Sequence, residues 1–181
     1  DKMRYLKLYR SKLEEVKKFR LQSTKAATIK WAEKPGLFTE NRQPTSDYIL
    51  LPRHSSENRH YIPIGFFHKN NIVADSCNSI PNSSLFHFGV LMSIMHMIWV
   101  KSVCGRLESR FRYSNDIVYN NFPWPENPSE KQKEAIETAA QKVLDTRAAF
   151  AGSSLADLYD PLTMPPTLVK AHHELDKAVD L

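Results

Sequence analysis

The chain has 181 residues, of which 41% are hydrophobic and 25% charged, a composition typical of a soluble globular protein of one domain or one and a half. Two cysteines exclude a disulfide framework, and seven histidines without ligand spacing give no sign of a metal site. The longest apolar stretch, residues 85–103, is too polar for a membrane span. We therefore expect a cytoplasmic protein with reduced thiols and no membrane partner.

The net charge of +5 conceals an uneven distribution along the chain. Residues 1–34 carry 11 Lys or Arg against 4 Asp or Glu, residues 35–112 carry 8 against 5, and residues 113–181 carry 6 against 11. A basic front and an acidic back favour a polyanionic partner at one end only. Two solvated helices of opposite charge would give the same composition, so charge alone leaves both interpretations open.

The first 34 residues predict a basic helical segment. Four apolar residues share one helical stripe between residues 2 and 21: Leu6, Tyr9, Leu13 and Val16. A second basic piece, residues 23–34, continues loosely helical as far as Pro35. The chain does not begin with Met, so we expect a piece of a longer protein. Its basic helix would then be a connector, or a surface that lies along phosphates.

The middle of the chain predicts a small antiparallel sheet and one long helix. Short strands are expected at residues 48–53, 59–67 and 72–74, followed by a polar loop at residues 75–84. Apolar residues at helical spacing then predict a single buried helix over residues 85–103, with Gly105 as its stop. The fold class predicted is α+β.

Charged residues alternate in the run that follows this helix. Glu108, Arg110 and Arg112 are separated by Ser109 and Phe111, so an extended backbone would place the three charges on one face. Arg can donate to guanine O6 and N7, and Glu can accept from cytosine N4, so the run could read base edges. A surface ion-pair ladder has the same pattern, and the run by itself leaves both readings open.

The tail predicts helices and contains no catalytic motif. A helix is expected from Pro128 to about residue 150, a capping box at Ser154–Asp157, and a last helix at residues 167–179. The sequence has no nucleotide-binding glycine loop, no nucleophile elbow and no carboxylate in an obviously apolar setting. We therefore expect these residues to be non-catalytic.

The run RYSNDIVYNNFPWP (residues 112–125) closely resembles the end of the target recognition domain in large type II restriction–modification enzymes of the MmeI kind. These are relatives of class I SAM-dependent DNA methyltransferases. Further runs look like the same family: SDYILLPR (46–53), RHYIPIG (59–65), LFHFGV (85–90), MHM (95–97), VCGRL (103–107), LADLYD (155–160) and AHHELD (171–176). Several separate motifs in the same order make chance implausible.

The resemblance implies a division of the chain and a function for each part. Residues 1–34 would be a basic helical connector from an upstream catalytic domain, residues 35–125 a DNA target recognition domain, and residues 126–181 a C-terminal helical region. The parent protein would methylate adenine N6 with SAM as cofactor. The chain itself would bind no cofactor, and its partners would be double-stranded DNA and the upstream methyltransferase domain. The target adenine would be flipped out by that domain.

The resemblance also implies which residues meet DNA. The positions that track specificity in this family correspond to Glu108 and Arg110, and to the loop with Asp75, Ser76 and Asn78. Arg112 belongs to the shared motif and is expected to contact DNA whichever sequence is read. Residues expected to contact the DNA backbone are Arg53, Arg59 and Ser109, with Lys and Arg of the connector. Aromatic residues after the run are expected to pack rather than stack on bases: Tyr113, Tyr119, Phe122 and Trp124.

One alternative function remains open at this stage. The chain could be a non-catalytic interaction domain whose basic face docks on an acidic protein partner. A DNA reader would combine a steep salt dependence with preference for one duplex, whereas a docking surface would show no sequence preference.

Overall fold

The computed structural model describes residues 2–180, with side chains from residue 5 onward. The chain divides into two compact units, residues 1–42 and residues 43–181. The second unit mixes helices with antiparallel sheets and ends in a helical segment, which confirms the predicted α+β class.

The first unit is built on the predicted basic helix α1 (Lys2–Leu21). A short helix α2 (Ala26–Lys30) and a 3₁₀ turn (Trp31–Glu33) follow it. Arg20 ties the end of this segment to α1, because its guanidinium donates to the carbonyls of Trp31 (2.8 Å), Lys34 (2.9 Å) and Leu37 (2.8 Å). The carbonyls of Trp31 and Lys34 also accept from the amides of Lys34 and Leu37, so the guanidinium reinforces turns that the backbone already closes.

Within residues 43–180 the chain has six strands, in two three-stranded antiparallel sheets. They are β1 (Tyr48–Pro52), β2 (His54–Ser55), β3 (Gly65–Phe67), β4 (Cys77–Pro81), β5 (Gly105–Leu107) and β6 (Arg110–Arg112). The strand orders are β3-β1-β4 and β2-β6-β5. Arg53 joins the sheets: its amide donates to the Ser76 carbonyl (2.9 Å), and its carbonyl accepts from the Tyr113 amide (2.8 Å).

Two of the three predicted strands differ from those observed. Within residues 59–67 only β3 pairs, since Pro63 lacks the N–H that a ladder needs. Residues 72–74 form no strand, and the amide of Val73 donates instead to the Gln43 side chain (3.0 Å). Residues 77–81, predicted as loop, form β4 because all five of them pair with β1. Pairing with a distant strand here overrides a polar local composition.

The predicted single helix over residues 85–103 is in fact two helices, α3 (Leu85–Leu91) and α4 (Ile94–Val103), bent by 55°. Ser93 causes the break: its hydroxyl donates to the Val90 carbonyl (2.7 Å) and accepts from the His96 amide (3.3 Å), so it caps α4. Gly105 is not the helix stop but the first residue of β5. No single helix within residues 2–180 is long and apolar enough to cross a membrane, although the bent pair together would be.

The C-terminal part forms helices α5 (Glu130–Ala148), α6 (Leu155–Leu158) and α7 (Pro166–Val179). The capping box at Ser154–Asp157 is confirmed. Gly89 of α3 lets α5 approach closely, because a Cβ there would lie 2.6 Å from Ile136 Cγ2. A single hydrophobic core is therefore shared by the sheet region before residue 126 and the helices after it. Its buried residues include Ile49, Leu51, Phe88, Met97, Val143, Leu168 and Leu175.

The aromatic residues after β6 belong to this core. Tyr113 and Phe122 are buried, and Tyr119 and Trp124 pack partly buried against them. His96 Nδ1–H donates to the Leu91 carbonyl (2.9 Å), so its Nε2 accepts from the Tyr113 hydroxyl (3.0 Å). Burial lowers the pKa of His96 to about 4, which keeps the ring neutral.

Candidate nucleic-acid interface

Strands β5 and β6 form a hairpin, residues 105–112, that presents the charged run. Leu107 pairs with Arg110 in this hairpin, and the turn between them consists of Glu108 and Ser109 alone. The expectation of one extended strand through all three charges is therefore wrong for Glu108. Its backbone is left-handed, with φ 57°, because the chain reverses direction at this residue.

Arg110 and Arg112 share one exposed face of the hairpin. Phe111 between them points the other way and is 1% exposed. Cross-strand partners lie on the same face, so His54, opposite Arg112, and Leu107, opposite Arg110, belong to it as well. We call these four residues the hairpin face: His54, Leu107, Arg110 and Arg112.

An ion pair joins Glu108 to this face. Arg110 Nη2 donates to Glu108 Oε2 at 2.8 Å, and the two side chains are 49% and 76% exposed. An exposed pair of this kind adds at most about 1 kcal/mol to stability. The fold therefore does not depend on it, and both a donor and an acceptor remain accessible to a ligand.

The inner side of the hairpin supports its turn. The guanidinium of Arg106 lies 4.2 Å from the centre of the Phe111 ring, and its Nη1 donates to the Ser109 carbonyl (3.1 Å). Glu57, on the loop after β2, also reaches this turn. The pKa of the Glu57 carboxyl is lowered by its own backbone amide, then by the Ser109 hydroxyl and the charges of Arg106 and Arg110.

The sequence did not predict that Glu57 and Arg106 would support the hairpin turn. The pairing of Ser55 with Phe111 brings the loop of Glu57 beside the hairpin, and no local pattern signals that contact. Arg106 could have been noticed from its alternation with Glu108 and Arg110. Instead it lies opposite Phe111, on the other side of the hairpin.

A second polar cluster contains the other predicted base-reading residues. Arg53 Nη1 donates to Asp75 Oδ1 (3.2 Å) and its Nε donates to Asn78 Oδ1 (3.1 Å). Asp75 and Ser76 lie exposed in the loop before β4. Asn78 is instead a residue of β4 and only 8% exposed, because this part of the predicted loop pairs with β1. The structure thus brings Arg53 to the loop expected to read bases.

The remaining predicted contacts lie close to the two clusters. Arg59 Nη1 donates to the Ser55 hydroxyl (3.5 Å), on the strand that pairs with β6, and Ser109 is exposed in the hairpin turn. The backbone of Arg53 bonds both to Ser76 and to Tyr113, the residue after Arg112. Residues 48–55, which form β1, Arg53 and β2, therefore connect the two clusters. No group of three or more metal-ligating side chains occurs in the part of the chain that the structure describes.

Two family matches give the class of protein: a DNA target recognition domain followed by a C-terminal domain. The family described as "MmeI, target recognition domain" matches residues 1–126, and "MmeI, C-terminal domain" matches residues 128–181. The chain belongs to this MmeI family, which confirms the resemblance inferred from its motifs.

Two proteins of known function are similar to nearly the whole chain. DNA methyltransferase A of Bacillus subtilis (strain 168) is 39% identical over 180 residues, which is 99% of this chain and 20% of that protein. The type IIL restriction–modification enzyme MmeI, solved in complex with DNA, is 48% identical and superposes with a TM-score of 0.91. That match covers 96% of this chain and 23% of the MmeI chain. The chain thus spans about a fifth of these relatives.

Proposed function

We propose that this chain is the sequence-reading part of a SAM-dependent adenine-N6 DNA methyltransferase. The observation that carries the proposal is the exposed hairpin face with its Glu108–Arg110 pair. This arrangement belongs to a family whose relatives include a DNA methyltransferase and an enzyme solved with DNA. The alternative of an interaction domain that docks on an acidic partner has no comparable support.

Glu108 and Arg110 are the proposed readers of one base pair. Arg110 can donate to guanine O6 and N7 in the major groove, while Glu108 accepts from cytosine N4 of the same pair. The bond between their side chains aligns the donor and the acceptor before DNA arrives. This chemistry predicts a C·G pair at one position of the site. Arg112 lies on the same face and is proposed to contact DNA whichever sequence is read.

Asp75 and Arg53 are proposed to read a second base pair. They combine a carboxylate with a guanidinium, as Glu108 and Arg110 do, and the bond to Asn78 fixes the orientation of the guanidinium. We therefore extend the role expected of Arg53 from phosphate contact to base reading. Ser76 is exposed beside Asp75 and can contact a base edge, while buried Asn78 acts by holding Arg53.

Phosphate contacts are proposed for Arg59, for Ser109 and for the basic residues of the connector, residues 1–34. Such contacts set affinity and register without selecting sequence. The full-length protein would bind SAM and carry out methylation through an upstream domain, in the cytoplasm of a prokaryotic cell. In this proposal residues 35–125 read DNA, and residues 126–181 form the C-terminal helical region.

A binding measurement on the full-length protein tests the proposal. Affinity for a pool of random duplexes and for the best duplex selected from that pool is measured at 50 mM and about 200 mM salt. A DNA reader loses affinity steeply with salt and keeps its preference for the selected duplex. Equal affinity for both duplexes at each salt concentration would contradict sequence reading and favour the docking alternative.

A further inference from the structure

A buried carboxylate from the C-terminal helices reaches the recognition domain. Asp176 of α7 is 9% exposed. Its Oδ2 accepts from the Tyr61 hydroxyl at 2.7 Å, and its Oδ1 accepts from the Ile94 amide at 2.7 Å. Ile94 is the first residue of α4, so Asp176 supplies an acceptor and a negative charge to the N-terminus of that helix.

Helix α4 in turn leads to the DNA-reading hairpin. It ends at Val103, and β5 of the hairpin begins two residues later at Gly105. The other end of the hairpin is held by the same helix, since His96 in its first turn accepts from the hydroxyl of Tyr113 (3.0 Å). Tyr113 directly follows Arg112, and its amide donates to the carbonyl of Arg53. A continuous path of bonds therefore runs from the start of α4 to both proposed reading clusters.

We propose that Asp176 is a positioning residue for base recognition. Asp176 holds the first turn of α4. It thereby fixes the orientation of α4 and the position of the hairpin, residues 105–112, that follows this helix. The C-terminal helices then take part in choosing the sequence without touching DNA. This inference rests on the proposed function of the hairpin.

A second buried side chain strengthens the same connection. Arg147 of α5 is 8% exposed, and it donates to the Ile64 carbonyl (2.8 Å) and the Tyr159 hydroxyl (2.6 Å). The Tyr61 ring stacks on His172 of α7 with ring centres 4.0 Å apart. Residues 61–64, which carry one donor to Asp176, are thus held by both long C-terminal helices. The Arg147–Ile64 bond and the Tyr61–His172 stacking both cross the junction at residues 126–128, where the two family matches meet.

The test compares variants of the full-length protein in selection from random duplex DNA. Asp176→Ala removes both acceptors, whereas Asp176→Asn keeps an oxygen for the Ile94 amide and brings an NH2 group that can donate to the Tyr61 oxygen. Glu174→Ala is the matched control, because Glu174 lies on the same helix but pairs with Lys142 at the surface. Tyr61→Phe removes one bond to Asp176 and leaves the other in place. Each variant is measured at a temperature where its melting curve shows it folded.

The expected result is a loss of discrimination at the base pair read by the hairpin. Asp176→Ala should lower that discrimination about 3- to 30-fold, the usual size of coupling through packed elements. Tyr61→Phe should lower it less, and Asp176→Asn and Glu174→Ala should leave it close to wild type. The salt dependence of binding should stay unchanged in all four variants, because the phosphate contacts remain.

Other outcomes separate the two proposals. If wild type selects no sequence, the proposed function itself fails. If wild type selects a sequence and folded Asp176→Ala discriminates equally well, Asp176 is structural only and the inference is overturned. If Asp176→Ala does not fold, Tyr61→Phe decides the matter: reduced discrimination supports the inference, and unchanged discrimination overturns it.

Discussion

Glu108 and Arg110 are joined by a 2.8 Å bond across the turn of the hairpin, although Glu108 stands in left-handed backbone that glycine adopts more readily. A side chain in this conformation costs about 1–2 kcal/mol. The exposed ion pair stabilises the fold by less than this conformational cost. The carboxylate thus occupies a position that favours another residue for stability, as is common at binding sites.

Replacing Glu108 with glycine should therefore stabilise the protein and impair recognition. We expect Glu108→Gly to raise the free energy of unfolding by about 1 kcal/mol, measured by chemical denaturation, because the strain at φ 57° is relieved. It should also remove the preference for cytosine at one site position. Ser109→Gly is the control: the backbone of Ser109 is not left-handed, so this variant should gain no stability. A destabilised Glu108→Gly protein would refute the strain argument.

Close packing of α3 on α5 gives a second prediction. Gly89→Ala should lower the free energy of unfolding by about 1–3 kcal/mol, because its Cβ would lie 2.6 Å from Ile136 Cγ2 and 3.3 Å from Ala140 Cβ. Gly152→Ala has open space around it, so it should be neutral or slightly stabilising. Denaturation curves of the two variants check the difference, and similar stabilities would contradict the observed packing.

Buried His172 predicts a loss of stability in mild acid. Burial, assisted by the charge of Arg147, lowers the pKa of His172 to about 3. The unfolded chain then binds the extra proton below about pH 6.5, so the free energy of unfolding falls as the pH drops below that value. His172→Gln should remove on the order of 1–2 kcal/mol of this fall between pH 7 and pH 5.

Exposed His173 is the matched control for this pH dependence. His173→Gln should keep the full loss of stability, measured by denaturation across the same pH range. Asp176, whose pKa is raised by burial, is present in both variants and affects them alike. Parallel pH profiles for the two variants would show that His172 does not titrate as its burial requires.

The second reading cluster predicts an independent change of specificity. Exchanging its charges in Arg53→Asp plus Asp75→Arg should alter one selected base pair, and this position should differ from the one altered by variants of the hairpin turn. Arg59→Ala should instead weaken binding to all duplexes alike and reduce the salt slope by about 1. Uniform weakening by the Arg53 and Asp75 exchange would assign that pair to phosphates.

Elements with strong local signals could be predicted from the sequence. The apolar stripe of α1, the Ser154–Asp157 capping box and the turn residues around β1 each specify structure within a few positions. The alternation around Phe111 likewise indicated that Arg110 and Arg112 share a face. These features depend on neighbours in sequence, which a pattern can capture.

Features that depend on distant partners could not be predicted in this way. Strand β4 has a polar sequence and exists because β1 pairs with it. The apolar pattern runs through residues 85–103 without interruption, so it does not reveal the break between α3 and α4. Ser93 acts as a cap only when the chain bends there. Glu57 and Asp176 reach their partners through tertiary packing. Nothing adjacent to them in sequence marks those contacts.

The most direct measurement is selection from random duplex DNA by the full-length protein and by its variant Glu108→Lys plus Arg110→Asp. Wild type should fix a C·G pair, and the exchanged pair should change that position alone. The control is Glu40→Lys plus Arg42→Asp, an exposed ion pair with the same spacing, which should change nothing in the selected sequence. If the Glu108 and Arg110 variant folds but weakens all sequences equally, these two residues do not read a base pair, and the central claim is wrong.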